Sequence, residues 1–259
     1  MRPICLDHLS LYDVTALELI EIAAKLDFSA VSLFILPGPL GPYRDLVNDR
    51  GARAEVLKAL RDTGLSLGVI EPFLLQEETD WQLLEAAAAV AAELGGMVTG
   101  LCFDSEPERL RDSFGRLADI TRRAGVRLGV EGFTLSAVRT PAEAIAMADT
   151  AGDDIGIVVD TLHMIRTGCQ WADFAVLPAE RIFHVQLCDG PLKAPADLFH
   201  EATVARQPPG EGEFDIASFI PLVPVTTMLA VEAPFSAPAG TTPLQRARVL
   251  KDSMCRLLA

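Results

Sequence analysis

The sequence predicts an α/β fold, a single (β/α)8 TIM barrel over residues 1–259. Three observations predict it: short apolar runs alternate with longer helical patterns, the alternation repeats eight times, and no Pro/Gly/Ser-rich linker divides the chain. Eight βα units in a chain of this length are typical of a closed barrel. An open doubly wound sheet is the alternative, but it requires a glycine-rich turn after its first strand, and LDHLSLYD has none.

The eight strand–helix pairs follow one another along the chain. The first four are PICLDHL with VTALELIEIAAKLD, SAVSLFIL with ARAEVLKALRDTG, LSLGVIEPF with WQLLEAAAAVAAELG, and GMVTGLCF with EPERLRDSFGRLADITRRAG. The last four are VRLGVEGF with PAEAIAMADTAG, DIGIVVDTLH with the weaker WADFAVLP, RIFHVQLCDG with DIASFIPLV, and TMLAVEAPF with LQRARVLKDSMCRLLA. The strands are almost continuously apolar, as expected of a parallel sheet covered on both faces. Two loops, 35–50 and 190–214, are unusually long, which favours a functional role for them.

The composition excludes several classes of protein. Half of the residues are apolar and 22% are charged, which is typical of a globular protein and not of a disordered one. A net charge of −14 with no basic patch argues against nucleic acid or an anionic membrane as a partner. The start of the chain lacks a signal-peptide pattern and the five cysteines are scattered, so we expect a cytoplasmic protein with reduced thiols and no membrane span.

Four oxygen-bearing side chains lie at or near the ends of consecutive predicted strands. Glu131 ends the fifth strand, Asp160 ends the sixth, Gln186 lies in the seventh and Glu232 ends the eighth. The carboxyl ends of all barrel strands face one mouth, so we expect the four side chains to converge. Three carboxylates would repel one another unless a cation neutralised them, and oxygen ligands suit Mg²⁺ or Mn²⁺. The pattern therefore predicts one divalent metal ion, with a structural polar network as the alternative.

Other polar residues near this mouth are open to two interpretations. His163 follows Asp160 by three residues and is either a substrate contact or a capping histidine. Arg206 precedes the glycine-rich turn PPGEGEF and is either a substrate contact or an exposed loop arginine. Asp189 is a candidate for orienting this long loop or holding Lys193. Further residues near the predicted strands are as consistent with structure as with function: Asp7, His8, Glu71, Asp104, His184 and Lys193.

Five segments together resemble a known family. VEGF, VVDTLH, HVQLCDG, ARQPPGEGEFD and VEAP resemble the sugar isomerase/epimerase branch of the xylose-isomerase-like TIM barrels, most strongly over residues 127–235. That branch includes inosose dehydratase, tagatose-type 3-epimerase, hydroxypyruvate isomerase and 3-dehydroshikimate dehydratase. The resemblance implies substrate contacts at His163 and Arg206, and a homodimer as the candidate assembly. It implies metal ligands at the following positions: Glu131, Asp160, Gln186 and Glu232.

One position departs from the epimerases of this family. Their strand-seven ligand is usually a histidine, whereas Gln186 is closer to what hydroxypyruvate isomerases and some dehydroshikimate dehydratases carry. The departure weakens a specific assignment of ketohexose epimerisation but leaves the metal site intact, because a glutamine carbonyl is a suitable neutral ligand.

The resemblance implies an enzyme that removes a proton from carbon next to a carbonyl, with Glu131 and Glu232 as base and acid. A metal-dependent isomerase or epimerase of a small sugar or keto sugar is the leading hypothesis, and a dehydratase of the 3-dehydroshikimate or inosose type is the alternative. Two other classes compete. A barrel phosphodiesterase would need several histidines around a zinc cluster, and the chain has four histidines in all. A sugar-binding barrel without metal would have to keep its carboxylates unneutralised.

Overall fold

The computed structural model describes residues 2–259, which form a closed barrel of eight parallel strands. The strands pair in chain order, and β8 closes the barrel on β1 through the register Cys5↔Ala230. The strands are β1 Ile4–Leu6, β2 Ala30–Phe34, β3 Ser66–Leu75, β4 Met97–Cys102, β5 Leu128–Glu131, β6 Gly156–Asp160, β7 Ile182–Leu187 and β8 Met228–Val231. The predicted fold class is confirmed, and the open sheet is excluded.

The helices form the outer layer around these strands. They are α1 Ala16–Lys25, α2 Arg50–Thr63, α3 Trp81–Leu94, α4 Pro107–Ala124, α5 Pro141–Ala151, α6 Thr161–Arg166, α7 Trp171–Ala175, α8 Leu198–Val204, α9 Ile216–Phe219 and α10 Pro243–Leu257. Local sequence sets their ends. Capping boxes at Thr15, Thr140 and Thr242 begin three of them, where side-chain and backbone groups satisfy each other's hydrogen bonds.

Two of the eight strand–helix pairs differ from the sequence prediction. Residues 190–214 were expected to be loop, but they contain α8, which begins where the Asp197 side chain accepts a hydrogen bond from the His200 amide at 2.9 Å. The weak sixth helix is a pair of short helices, α6 directly after β6 and α7 over Trp171–Ala175. Both differences arise because helices of five to seven residues are too short to produce a clear apolar periodicity.

Side chains alternate between the two faces of the barrel wall. Ile4 and Leu6 of β1 belong to the large apolar core between strands and helices, whereas Cys5 packs with Ala30 and Ala230 in a small separate cluster. These small residues leave space inside the barrel for polar side chains. Among residues 2–259, no helix is both long and apolar enough to cross a bilayer.

Gly132, directly after β5, lies where the backbone packs closely at the mouth of the barrel. A Cβ at this position would lie 2.7 Å from the backbone carbon of Thr140, which cannot move without shifting the start of α5. We expect Gly132→Ala to lower the free energy of unfolding by about 1–3 kcal/mol, measured by denaturant titration. Gly115→Ala in α4 is the control, because no atom lies within 4 Å of the added carbon and alanine favours helix. Equal stability of the two variants would contradict the close contact.

Candidate active site

Asp160 is fixed by its position at the junction of β6 and α6. Its Oδ1 accepts hydrogen bonds from the amides of Leu162 at 2.6 Å and His163 at 3.3 Å, so the residue both ends the strand and caps the helix. Oδ2 is left to face other partners. Glu131, the last residue of β5, is one strand away, where it pairs in register with Val158 of β6. Both carboxyl groups are buried at the mouth.

Gln186 lies beside Asp160, since the two residues are paired in register on β7 and β6. Its Nε2 donates to Glu232 Oε1 at 3.0 Å. Its Oε1 is buried and has no hydrogen-bond partner. A buried amide oxygen without a partner is costly unless something else satisfies it, so the side chain presents a free acceptor to the site.

Glu232 follows β8, and hydrogen bonds fix the backbone on both sides of it. Ser10 bridges its neighbours: the Ser10 hydroxyl donates to the Val231 carbonyl at 3.0 Å and accepts from the Ala233 amide at 2.9 Å. The Glu232 amide itself donates to the Leu187 carbonyl at 3.0 Å. The carboxylate therefore projects from a rigid segment.

Arg206 places a positive charge among the predicted metal ligands. Its Nη1 lies 2.6 Å from Asp160 Oδ2 and 2.9 Å from Glu232 Oε2, and its Nε donates to the Ala202 carbonyl at 2.7 Å. The residue is 3% exposed, which excludes the exposed-arginine interpretation. Arg206 therefore neutralises part of the carboxylate charge and would lie beside any ion or substrate bound there.

Asp189 orients the loop that carries Arg206, as one of its two sequence interpretations predicted. Its carboxylate accepts from the amides of Gly190 at 2.8 Å, Gly210 at 2.9 Å and Phe214 at 2.9 Å. This ties the PPGEGEF turn to the end of β7.

His163 is also buried in this group. Its Nδ1 is hydrogen-bonded to Thr134 Oγ1 at 3.1 Å, and its Nε2 lies 3.7 Å from Glu131 Oε1 without a hydrogen-bond partner. Ligand atoms of Glu131, Asp160 and His163 lie within 4.8 Å of one another, close enough to hold a metal ion. The sequence analysis gave His163 as a substrate contact or a capping histidine, and not as a metal ligand. Thr134 was missed, because nothing in the sequence indicates its contact with a residue 29 positions away.

Burial dominates the electrostatics of the site. It raises the pKa of Glu131 and of Glu232 well above the usual value, and it raises that of Glu71 to about 8, with Asp7 adding to the effect. Burial opposes ionisation of Asp160 as well, but the Arg206 guanidinium together with His163 and Glu232 outweighs it, and the pKa of Asp160 is lowered. Burial lowers the pKa of His163 to about 4, so its imidazole is neutral at pH 7.

The contacts of the remaining candidate residues show which of them lie near the carboxylates and which are structural or exposed. Asp7 and Glu71 are buried near the carboxylates already described. His8 is structural, because its Nε2 donates to the Val14 carbonyl at 3.1 Å and its Nδ1 accepts from the Phe34 amide at 3.2 Å. Asp104 pairs with Arg109 at 2.6 Å at the start of α4. Lys193 is exposed.

Most of the chain matches the sequence pattern of one protein family. Residues 20–237 match the family described as xylose isomerase-like TIM barrel. The chain belongs to this family. The 3-dehydroshikimate dehydratases of Pseudomonas aeruginosa and Pseudomonas putida are 28% identical over 220 residues and 23% identical over 222 residues. Each match covers 78% of this chain and 33% of the relative, so the chain spans about a third of the length of these curated relatives.

Solved structures of the family share the fold. An IolI protein with a bound zinc atom superposes with a TM-score of 0.80 at 16% identity, covering 100% of this chain and 98% of that one. The probable 3-dehydroshikimate dehydratase AsbF of Bacillus anthracis gives 0.78 at 16% identity over 99% of both chains. A D-psicose 3-epimerase gives 0.73 at 16% identity over 99% of this chain and 98% of its own.

Glu71 makes the stability of the metal-free protein depend on pH. Its pKa is raised from an ordinary 4.5 to about 8, so the folded chain holds the proton more tightly than the unfolded chain. The stabilisation from this proton is present in full below pH 4.5 and is lost as the pH rises through about 8. We expect Glu71→Gln to flatten the pH dependence and to raise the free energy of unfolding at pH 8.5 by about 1–3 kcal/mol. Denaturant titrations from pH 5 to pH 8.5 in a metal chelator measure it.

The matched control is Glu78→Gln, which changes an exposed glutamate after β3. Glu78→Gln should leave the slope of the unfolding free energy against pH unchanged. If Glu71→Gln has the same slope as the unmodified protein, Glu71 does not hold a proton in the folded state.

Proposed function

We propose that this protein is a divalent-metal-dependent enzyme that removes a proton from carbon adjacent to the carbonyl of a small polyhydroxy keto compound. One observation carries the proposal: ligand atoms of Glu131, Asp160 and His163 lie within 4.8 Å of one another at the mouth of the barrel. Glu232 joins this group through Gln186 Nε2 at 3.0 Å and through Arg206, and Gln186 Oε1 is buried there without a partner. In barrels of this type, the carboxyl ends of the strands form the active site.

The residues present suit a hard divalent cation. The orphaned Gln186 Oε1 is a neutral oxygen donor, and Glu131, Asp160 and Glu232 supply charged ones. Oxygen-rich sites favour Mg²⁺ or Mn²⁺. Burial raises the pKa of Glu131 and of Glu232, so each carboxyl group holds a proton more tightly when no cation neutralises the site. These residues would therefore exchange protons for the metal on binding.

When bound, the metal would supply positive charge that stabilises the enediolate formed by proton loss. Glu131 and Glu232 project from strands three positions apart, so they can hold and return a proton from different sides of a substrate. Burial raises the pKa of both groups, so each holds a proton more tightly than an exposed glutamate does, which suits carboxyl groups that take up and return a proton.

Arg206 and His163 can assist the reaction in different ways. Arg206 keeps its charge when buried and can pair with a substrate oxygen in exchange for part of its contact with Asp160. His163 is neutral at pH 7, so its Nε2 interacts with a substrate hydroxyl as a hydrogen-bonding group and not as a charge. Thr134 fixes the orientation of that ring.

The leading candidate reaction is isomerisation or epimerisation of a small sugar or keto sugar. The pair of carboxyl groups suits it, because delivery of the proton to the other face gives an epimer and delivery to the neighbouring carbon gives an aldose–ketose shift. A D-psicose 3-epimerase shares the fold.

Dehydration is the second candidate, and the relatives favour it. Both curated relatives are named 3-dehydroshikimate dehydratase, and AsbF carries the same description. The reaction shares the proton abstraction and then expels a β-hydroxyl group as water, so the same residues serve both candidates.

The two glutamates should be necessary for turnover. We expect Glu131→Gln and Glu232→Gln each to lower kcat by about 10²–10⁴-fold, because each change removes a proton-transfer group. Incorporation of deuterium from solvent into substrate, followed by NMR, measures the abstraction step directly. Glu78→Gln is the control on an exposed glutamate. Full exchange activity in both site variants would refute the assigned roles.

A substrate screen separates the candidates. Metal-loaded protein is incubated with a panel of ketoses, hydroxypyruvate and 3-dehydroshikimate in the presence of Mn²⁺ or Mg²⁺. An isomerase or epimerase gives a product of unchanged mass, resolved by chromatography. A dehydratase gives a conjugated product that absorbs in the ultraviolet. A protein that binds neither metal nor any of these compounds would overturn the proposed function.

A further inference from the structure

A second polar cluster lies inside the barrel and takes no part in the proposed reaction. It consists of Cys5 on β1, Asp7 just after β1 and His184 on β7. Their ligand atoms all lie within 4.8 Å of one another. The three residues are 0%, 1% and 1% exposed, so bulk water does not satisfy them. A thiol, a carboxylate and an imidazole at one buried point are the donors that bind Zn²⁺.

The cluster is deeper than the carboxylate site. Cys5 precedes Asp7 by two residues and His184 precedes Gln186 by two, and side chains two apart on a strand face the same side. Cys5 and His184 therefore lie one layer further toward the amino-terminal end of the strands. Asp7 is at the boundary between the two layers.

Two atoms of the cluster are buried without a partner. Asp7 Oδ2 and His184 Nε2 make no hydrogen bond, although they lie 3.7 Å apart. Cys5 Sγ lies 3.5 Å from the other Asp7 oxygen. Around a tetrahedral ion with bonds of about 2.0–2.3 Å, neighbouring ligand atoms are roughly 3.3–3.7 Å apart. The Cys5 thiol donates a hydrogen bond to Asp7 Oδ1, whereas the 3.7 Å between Asp7 Oδ2 and His184 Nε2 is too long for one. Both distances suit ligands placed around a shared ion once the thiol proton has left.

Gly68 leaves room beside this cluster. A Cβ at this position would lie 3.0 Å from both Cys5 Sγ and His184 Cε1. Gly68 and His184 also line a cavity of about 450 Å³ at the amino-terminal end of the barrel. Of the three cluster residues only His184 lines this cavity, so an ion would approach the cluster past His184 and Gly68.

Ser32 supports the thiol as a ligand. Its Oγ accepts from the Val69 amide at 3.1 Å and lies 3.4 Å from Cys5 Sγ, so its hydroxyl proton can be donated to the sulfur. Hydrogen bonds of this kind orient metal ligands and tune their affinity.

We propose that Cys5, Asp7 and His184 form a second metal site, distinct from the carboxylate site and selective for a thiophilic ion such as Zn²⁺. Binding replaces the thiol proton, which is released to solvent, with a sulfur–metal bond. Because β1 and β7 are separated by β8, the ion joins two strands that do not pair directly, and it stabilises the closure of the barrel.

Cobalt distinguishes this site from an all-oxygen site. Metal-free protein is titrated with Co²⁺, and the near-ultraviolet absorption is recorded for charge transfer from thiolate to cobalt. We expect this band to saturate at the intensity of one thiolate-bound Co²⁺ per chain in the unmodified protein and in Glu131→Gln, and to be lost in Cys5→Ser. The band does not depend on turnover, so its outcome is separate from that of the proposed function.

Cys188→Ser is the matched control, because Cys188 is the buried thiol beside Arg206 and the carboxylates. It should keep the band. A band that survives Cys5→Ser and disappears in Cys188→Ser would assign the sulfur to the carboxylate site and overturn the inference. So would the absence of a thiolate band in folded, unmodified protein at saturating Co²⁺, a result that needs no variant.

Gly68→Ala provides a test that keeps all three ligands. The added methyl group occupies the space beside sulfur and imidazole, so we expect Co²⁺ affinity at the thiolate band to fall by about 10–100-fold. Circular dichroism verifies that the variant is folded. Unchanged affinity in a folded Gly68→Ala variant would show that the ion does not bind where the geometry places it.

Discussion

The buried ion pair of Arg206 with Asp160 and Glu232 is the interaction on which the candidate site depends. A closed barrel brings the carboxyl ends of its strands to one place, and this chain puts five buried acidic groups there: Asp7, Glu71, Glu131, Asp160 and Glu232. Arg206 is the guanidinium that reaches two of them. A buried charge that loses its partner destabilises a protein by about 3–5 kcal/mol, so this pair fixes both the loop and the carboxylates.

The burial of several acidic groups beside one arginine also determines the charge balance in the rest of the mouth. Arg206 lowers the pKa of Asp160, whereas burial raises the pKa of Glu131, Glu232 and Glu71. The metal-free site is therefore neutralised partly by one fixed cation and partly by protons. A divalent ion would take the place of those protons. An arginine beside carboxylates that can gain or lose protons suits chemistry in which a proton is removed from substrate and then returned.

The barrel interior repeats one arrangement at two depths. His163 Nε2 lies 3.7 Å from Glu131 near the mouth, and His184 Nε2 lies 3.7 Å from Asp7 further in. Both nitrogens are buried without a hydrogen-bond partner. Small inward residues such as Ala30, Ala230 and Gly68 make the deeper space available. The oxygen-rich upper group suits a hard ion, whereas the sulfur of the lower group suits a thiophilic one.

The sequence by itself determined the barrel and the strand-end residues. Eight apolar runs with intervening helical periodicity define the fold, and the barrel rule that strand ends share one mouth brings Glu131, Asp160, Gln186 and Glu232 to one side. These are local or near-local rules, which is why they can be applied without coordinates. The same rules overlooked α8, because a helix of seven residues shows too little apolar periodicity.

Only the tertiary structure decided which polar groups touch. The pairing of Arg206, the support of His163 by Thr134 and the approach of Cys5 to His184 depend on loop paths and on closure of β8 against β1. It also made His8 and Asp104 structural and left Lys193 exposed. Such contacts join residues far apart in the chain, and no periodicity encodes them, because their geometry exists only once the barrel has closed.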